Sequence, residues 1–350
     1  INGERNGRGK EYHSLESKVL SYTKDIKEQD YQILFEGEYL NGNRNGKGKE
    51  FYNEGKIKFE GEYFHGKIWN GKGYDINGKV AFEIKNGMGY IKEYNYIGEL
   101  EFEGEYKNGE RNGKGIEYCE NKIQYCFYNL HMNKKISEKK CISKFEGEYL
   151  KGKRNGKGKL YDNKGNIIFE GEYFRGKKNG KGKEYDREEK LVFECNYVHG
   201  EKDGIGKLYK DGKLILKINY TNEHTNELNY IYEKMNGKEY YQNGKVSFIG
   251  KYSKDLEKYN IFSSMEDSTE GYLSIPKRCG KGKEYYENGN LKFEGYYIGG
   301  KRYKKGKEYY INCHIKFIGE FIYDKRNGKG KEYDENDNLI FEEEFKRGKR

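Results

Sequence analysis

The chain has 350 residues, of which 36% are charged and one is proline, and its mean hydropathy is −1.20. Such polarity is typical of disorder, but 48 glycines and an aromatic content of 16% argue against it, because each buried ring removes roughly 150–250 Å² from water. A thin aromatic core is therefore expected, and a thick globular core is excluded. The net charge of +10 is small beside 68 basic and 58 acidic residues, so it permits contact with nucleic acid or a membrane without indicating either.

One phrase recurs along the chain. Phe35–Glu50 reads FEGEYLNGNRNGKGKE, and Phe169–Glu184 reads FEGEYFRGKKNGKGKE. A catalytic motif normally occurs once, whereas a repeated phrase specifies a shape. We therefore predict one continuous array over 1–350, with about 13 units and partial ends. The anchors, many of them 24 residues apart, are Phe35, Phe59, Phe82, Phe102, Tyr125, Phe145, Phe169, Phe193, Leu216, Phe248, Phe293, Phe317 and Phe341.

Each unit predicts two antiparallel strands. Phe59–Tyr63 (FEGEY) alternates aromatic or glycine residues with glutamate, which is the period of a strand whose two faces differ. We predict a loop over Leu40–Gly46, a second strand over Lys47–Tyr52, and a short turn before the next copy. The predicted fold class is all-β: an extended single-layer antiparallel meander of tandem hairpins, a twisted ribbon with short insertions of helical character.

The alternation assigns side chains to the two faces of this sheet. Aromatic residues and glycines share one face, and Glu60 and Glu62 lie on the other, where they can oppose lysines of the Lys47 and Lys49 type. Opposite charges directly across strands contribute about 0.2–1 kcal/mol each. The same alternation puts Phe51 on the lysine face rather than with the other rings.

Three insertions interrupt the rhythm, near 13–34, 221–236 and 253–276. In the first, four apolar residues lie at helical spacing behind Ser14, a possible N-cap. In the third, Leu256–Tyr259 is compatible with a turn of helix. Inserted loops carry function more often than the scaffold that holds them, although surface loops also lengthen at small cost.

The repeated residues carry a family resemblance. The phrase F-E-G-E-Y-x-x-G-x-R-N-G-K-G-K-E-Y resembles the MORN repeat (membrane occupation and recognition nexus), whose consensus is close to Y-E-G-E-W-x-x-G-x-x-x-G-x-G. Here Phe replaces the first Tyr, Tyr replaces Trp, and the 24-residue spacing is similar to a sister class of longer repeats that includes antitoxin-like bacterial proteins. The resemblance implies an extended single-layer sheet of hairpins that serves as a scaffold or as the targeting arm of a larger enzyme such as a lipid kinase.

Motifs of catalysis are missing from the sequence. The recurring G-K-G-K is followed by strand residues, whereas a phosphate-binding P-loop requires G-x-x-x-x-G-K-[ST]. The six histidines are scattered, the six cysteines form no C-x-x-C pair, and the Glu60/Glu62 pattern recurs in most copies, unlike the carboxylate pair of a single cleft. We expect no enzyme, no catalytic or metal-binding residue, no cofactor and no small-molecule substrate, and reduced thiols in a cytoplasmic protein.

Basic residues cluster in the same part of most units, and they are the candidate site. Lysines in such loops also keep a sheet soluble and discourage edge association. An anionic surface or an acidic protein is the expected partner if they bind, rather than nucleic acid, because the flanking glutamates make a poor platform for base stacking. The candidates are Arg44, Lys47, Lys49, Lys153, Arg154, Lys157, Lys159, Lys177, Lys178, Lys181, Lys183, Arg326, Lys329 and Lys331.

The function predicted from the sequence is a non-enzymatic repeat scaffold for protein–protein interaction or self-association, including at a membrane surface. The alternatives are an anionic-lipid-binding or membrane-targeting module of a larger protein, and an antitoxin-like module. The expected location is the cytoplasm, with peripheral binding at the inner face of a membrane. The sequence names neither a partner nor an oligomeric state.

Overall fold

The computed structural model describes residues 4–14, 31–118, 143–220, 235–253 and 276–349. Every regular element in these ranges is a β-strand, so the predicted all-β meander of hairpins is confirmed. The helical spacing predicted over 15–26, the degenerate copy at 125 and the turn of helix at 256–259 lie outside the described residues. Contacts divide the chain into two units, Ile1–Ile167 with Glu172–Lys177, and Ile168–Gly171 with Lys178–Arg350.

The first unit contains an open six-stranded sheet followed by five more strands. Neighbours in sequence pair antiparallel, from β1 to β6 and from β7 to β11. A tight turn at Lys85–Met88 connects the two runs. The strands are β1 Gly7–Ser14, β2 Tyr31–Leu40, β3 Asn43–Phe51, β4 Ile57–Phe64, β5 Lys67–Tyr74, β6 Val80–Ile84, β7 Gly89–Tyr94, β8 Leu100–Lys107, β9 Glu110–Tyr118, β10 Ser143–Leu150 and β11 Lys153–Tyr161.

The second unit repeats the same plan. Strand β12, Ile167–Phe174, contributes residues to both units. From β13 onward each strand again pairs antiparallel with the next. The strands are β13 Lys177–Tyr185, β14 Leu191–Val198, β15 Glu201–Lys210, β16 Lys213–Tyr220, β17 Met235–Tyr240, β18 Val246–Ser253, β19 Lys277–Tyr285, β20 Leu291–Ile298, β21 Lys301–Tyr309, β22 Ile315–Ile322, β23 Lys325–Tyr333 and β24 Leu339–Phe345.

The loop predicted over Leu40–Gly46 is wrong in its length. Strand β2 ends at Leu40 and β3 begins at Asn43, so the turn is only Asn41–Gly42. Both residues have positive φ, 48° and 77°, as a type I′ turn requires, and this turn matches the twist of the two strands. The remaining residues belong to β3, where residues 45–47 form a bulge that opposes Glu38 alone.

One face of each sheet holds the rings, and we call it the aromatic face. Phe35 is fully buried and its ring contacts Tyr39 and Tyr63 edge to face, at centroid distances of 5.5 and 5.1 Å. The ring lies over Gly48, where an added Cβ would come within 2.5 Å of it. Glycine inside the strand is therefore required by the close approach of ring and backbone.

The opposite face holds the charged side chains, and we call it the charge face. Lys49 is the Cα partner of Glu60, and Lys47 of Glu62, as the alternation predicted. Phe51 also lies on this face, where it lines one groove with Lys47 and Lys49. The register shift between Glu50 and Phe51 does not move that ring to the aromatic face.

Candidate functional site

Arginines cover the rings of the aromatic face. The Arg44 guanidinium lies 4.0 Å from the centroid of the Phe35 ring, and it forms ion pairs with Glu11 and Glu50. Arg111 and Arg154 cover Phe102 and Phe145 at 4.1 and 4.2 Å. A guanidinium stacks on a ring and holds carboxylates at the same time, so a single-layer sheet buries its phenylalanines without a second layer of protein.

In the second unit these ion pairs form a continuous chain. Arg302 bonds Glu284 at 2.7 Å and Glu308 at 2.6 Å, and Arg326 bonds Glu308 and Glu332, both at 2.8 Å. Burial on its own raises the pKa of Glu284, but the hydrogen bond and charge of Arg302 more than offset it and hold that pKa below its usual value. The carboxylates of the aromatic face therefore pair with arginines and stabilise the fold.

Four of the predicted site residues belong to this cover rather than to an exposed cluster. Arg44, Arg154 and Arg326 lie over Phe35, Phe145 and Phe317. Lys178 takes the equivalent position, with its Nζ 4.0 Å from the centroid of the Phe169 ring. These four residues therefore stabilise the aromatic face. The basic clusters in the sequence did not reveal this role, because each cluster mixes residues of the aromatic face with residues of the charge face.

The other predicted residues lie on the charge face or at the adjoining hairpin ends. Lys49 bonds Glu60 at 2.8 Å, and Lys331 bonds Glu342 at 2.7 Å, so glutamates of neighbouring strands offset part of the lysine charge. Strand register also places Glu146 opposite Lys159 and Glu194 opposite Lys183. Lys49 and Lys331 are exposed, and the other exposed lysines of the predicted set are Lys47, Lys153, Lys157, Lys177, Lys181, Lys183 and Lys329.

A groove crosses the charge face of the six-stranded sheet. It has a volume of about 780 Å³ and its floor includes Gly37, Gly48 and Gly61. Charged rows flank it on both sides, with Lys49 and Glu60 in one row and Lys47 and Glu62 in the other. The groove is open and its walls carry both signs of charge, which suits an extended polar chain better than a small apolar ligand.

A third feature is a set of exposed apolar side chains that we call the apolar row. Each occupies the last position of a strand, directly after the final aromatic of the repeat, and each is 41–49% exposed. Alternation puts them on the charge face. Its members are Leu40, Phe64, Leu150 and Phe174 in the first unit, and Val198, Ile298 and Ile322 in the second.

Histidines, cysteines and carboxylates do not form a metal centre in the described part of the chain. No group of three or more His, Cys, Asp and Glu residues there could hold a metal ion. His65 and His199 occupy turns at φ of 48° and 53°. Cys195 is buried, which raises the pKa of its thiol to about 11. No helix among the described residues is long and apolar enough to cross a membrane.

Comparison with known families agrees with this geometry. The model described as "MORN repeat" matches residues 35–56, 102–122, 145–167, 169–187 and 317–338. The model described as "MORN repeat variant" matches residues 278–298. The chain is a MORN-repeat protein. MORN repeats are in general repeats of protein or membrane interaction, and their family is of the non-enzymatic scaffold kind.

Similarity to whole proteins adds nothing further to this family assignment. No curated protein matches the chain. Among solved structures, the MORN array is similar to "Crystal Structure of TcdB2-TccC3-TEV" at 8% identity and a TM-score of 0.18, over 96% of this chain and 20% of that one. It is similar to "Crystal Structure of TcdB2-TccC3" at 10% identity and a TM-score of 0.13, over 93% and 16%. The array thus spans a fifth or less of these chains, and scores this low support no statement about fold or function.

Two features of the MORN array were missed in the sequence. The apolar row was visible in the aligned repeats, because the residue after F-E-G-E-Y is apolar in four of its five copies (Leu40, Phe64, Leu150 and Phe174) and is Lys107 in the fifth. The second is a run of adjacent lysines in β15–β17, which depends on strand register across the insertion at 221–236 and has no signal in a single repeat.

Proposed function

We propose that this chain is a non-enzymatic scaffold that binds other proteins through its charge face and apolar row. The observation that carries the proposal is the contrast between the two faces. Arginines and glutamates cover the rings of the aromatic face, whereas apolar side chains at the strand ends remain 41–49% exposed at the same position of seven repeats. Exposed apolar side chains that form one patch rimmed by polar residues mark a protein-binding site, and members of neighbouring hairpins, such as Leu40 and Phe64, lie two strands or about 10 Å apart.

Self-association and binding of a different protein both fit this surface. An apolar side chain of this size gains roughly 1.5–3 kcal/mol when it is fully buried. A single partly exposed member therefore binds weakly, but several members spaced along one unit act together. The proposal accordingly predicts that fragments with a single member of the row bind poorly.

The test replaces three members of the apolar row, Val198, Ile298 and Ile322, by serine in the intact chain. Proteins captured by the immobilised chain are identified by mass spectrometry and their binding is measured with purified material, and sedimentation velocity detects self-association. We expect the triple variant to lose both kinds of contact while it unfolds at the same temperature as the unaltered chain.

The matched control replaces three exposed apolar residues outside the row, Ile311, Leu339 and Ile340, by serine. Both variants lose the same number of exposed apolar side chains, so only position differs. Equal binding by the two variants would show that the apolar row is not an interface.

Binding to an anionic surface is the second proposal, and the exposed lysines of β11 and β13, of which Lys153 and Lys177 lie at the hairpin ends, are its support. A lysine near an anionic membrane contributes about 1 kcal/mol, so only several together would matter. This proposal includes a cytoplasmic location, with peripheral binding at the inner face of a membrane. The roles of enzyme arm and antitoxin-like module stay predictions.

Co-sedimentation with phosphatidylserine vesicles tests the second proposal. We expect weak, salt-sensitive binding that falls when Lys153, Lys157, Lys177, Lys181 and Lys183 are replaced by glutamine. Lys178 and Arg154 are left in place because they cover phenylalanine rings, and their loss would affect stability. Absence of binding at low salt would leave these lysines as solubility residues.

A further inference from the structure

Three lysines lie side by side on the charge face of β15, β16 and β17. Lys207 is the Cα partner of Lys217, which is in turn the Cα partner of Lys238. Neighbouring strands are about 4.8 Å apart, so the three side chains leave the sheet within roughly 10 Å. Glu194 bonds Lys207 at 2.6 Å, and among the described residues no ion pair reaches Lys217 or Lys238. We call these three residues the lysine run.

The same position alternates in sign throughout the six-stranded sheet, and in the other strands it is a charge of opposite sign or an isoleucine, such as Ile116 or Ile318. Like charges directly opposite each other destabilise a sheet, so the lysine run opposes the stability of the sheet that contains it. Departures from local charge pairing are expected at functional sites, so the lysine run is a candidate site for a ligand that supplies the missing negative charge. In the six-stranded sheet, lysine and glutamate alternate at this position, so each charge faces the opposite charge on the next strand. The residues from β1 to β6 are Lys10, Glu36, Lys49, Glu60, Lys72 and Glu83.

The surroundings of the lysine run are accessible and largely polar, with Ile249 opposite Lys238 and Ile205 opposite Asn219 as exposed apolar neighbours. Asn219 and Asn236 face each other in the next row and are both exposed, and a carboxamide can both donate to and accept from a peptide backbone. Lys251 extends that row opposite Asn236. On the other side the Tyr240 ring lies 5.9 Å from Lys217 Nζ. Charge and amide groups thus occupy one patch of exposed surface.

We propose that the lysine run binds a short acidic segment of a partner protein. In an extended segment, side chains on one face are spaced by about 6.7 Å, so carboxylates on alternate residues reach the three amines while the carboxamides bond the segment's backbone. The inference rests on the proposed scaffold function and names one class of partner, but it uses residues that are not in the apolar row.

An anionic membrane fits the lysine run less well. The run holds only three amines, one of them paired with Glu194, whereas a lysine near an anionic membrane contributes about 1 kcal/mol and several are needed together. The hairpin ends beside the run add no net positive charge, because exposed Glu201 and Asp211 offset exposed Lys210 and Lys213.

Fluorescence anisotropy of a labelled peptide that alternates glutamate and serine tests the inference with the intact chain. The peptide has roughly ten residues, enough to cross the run when extended. We expect binding at about 50 mM salt that weakens at about 150 mM. The Lys217→Glu variant is expected to bind at least about tenfold more weakly, because it removes one attraction and adds a repulsion, and its unfolding temperature is expected to stay the same or rise. Lys217→Gln gives a second, milder reduction.

Lys49→Glu is the matched control, since it changes the same position of the balanced sheet. Equal loss of affinity in Lys49→Glu and Lys217→Glu would overturn the inference by showing general attraction of a polyanion. Binding to phosphatidylserine vesicles with no binding of the peptide would overturn it in favour of a membrane. The apolar-row variant separates this result from the scaffold function, because it should still bind the acidic peptide even where it loses its other partners.

Discussion

The six-stranded sheet β1–β6 and the strands β15–β18 of the second unit share one face and differ on the other. On the aromatic face both have a fully buried phenylalanine under an arginine, Phe35 under Arg44 and Phe248 under Arg278. On the charge face the first has alternating charges, whereas the second has the lysine run followed by Ile249. The repeat therefore constrains the face that stabilises the chain and leaves the other face free to vary.

The largest expected effect tests whether the aromatic faces are equivalent. Phe35→Ala and Phe248→Ala should each lower the free energy of unfolding by about 3–5 kcal/mol, because both rings are fully buried. Urea denaturation of the two variants measures the loss. Phe64→Ala removes a ring that is 49% exposed and should cost far less. A small loss in only one of the two buried positions would show that the aromatic faces differ as well.

The arginine cover should matter next. Arg302→Met should cost about 1–3 kcal/mol, because it leaves the half-buried Glu284 and Glu308 without one of their charged donors. Arg44→Met makes the same change in the six-stranded sheet and should cost a similar amount. Thermal unfolding compares both with Arg302→Lys and Arg44→Lys, which keep the charge and should lose less. If the methionine variants are as stable as the unaltered chain, packing alone covers the rings.

The pH dependence follows from the same carboxylates. Burial raises the pKa of Glu11 and of Glu284, but the paired arginines outweigh it, so both pKa values lie below the ordinary 4.5. The unfolded chain then binds more protons than the folded one as pH falls, and stability present above about pH 4.5 is lost on acidification. Unfolding temperatures recorded between neutral and acidic pH should fall in this window, with a shallower fall in Arg302→Met. An unchanged pH slope in that variant would contradict the assignment.

The smallest expected effect separates the charge faces most sharply. Lys217→Glu restores alternation between Lys207 and Lys238 and should stabilise the chain by about 0.2–1 kcal/mol. Lys49→Glu creates three adjacent glutamates with Glu36 and Glu60 and should lower stability. Chemical denaturation under low salt resolves the two signs. The same sign in both variants would mean that the charge faces are equivalent.

Repetition explains how much of the fold could be predicted. The FEGEY alternation gave the strand, its two faces and the Lys49–Glu60 pairing, because these depend only on local period and on the next copy. The loop around Asn41–Gly42 was predicted too long, because residues that are typical of a loop in sequence lie in a bulge of β3.

The candidate site was harder to predict than the fold. Lys178 and Lys181 are three residues apart in one basic cluster, but Lys178 covers a ring of the aromatic face and Lys181 is exposed. The lysine run depends on register between strands on either side of an insertion, which a linear pattern does not contain. Local sequence thus predicts faces, and three-dimensional register decides which charges are neighbours.

The arginine cover also bears on how the array tolerates added segments. In uninterrupted repeats each arginine bonds a glutamate 18 residues earlier, as Arg302 does with Glu284. The equivalent bonds of Arg154 to Glu117 and of Arg278 to Glu239 close loops of 37 and 39 residues. Loop-closure entropy grows only with the logarithm of length, about 0.6 kcal/mol for each doubling. An arginine–glutamate bond that forms across an insertion restores the register of the strands on either side of it. The chain can therefore acquire new segments between strands while its repeats stay aligned.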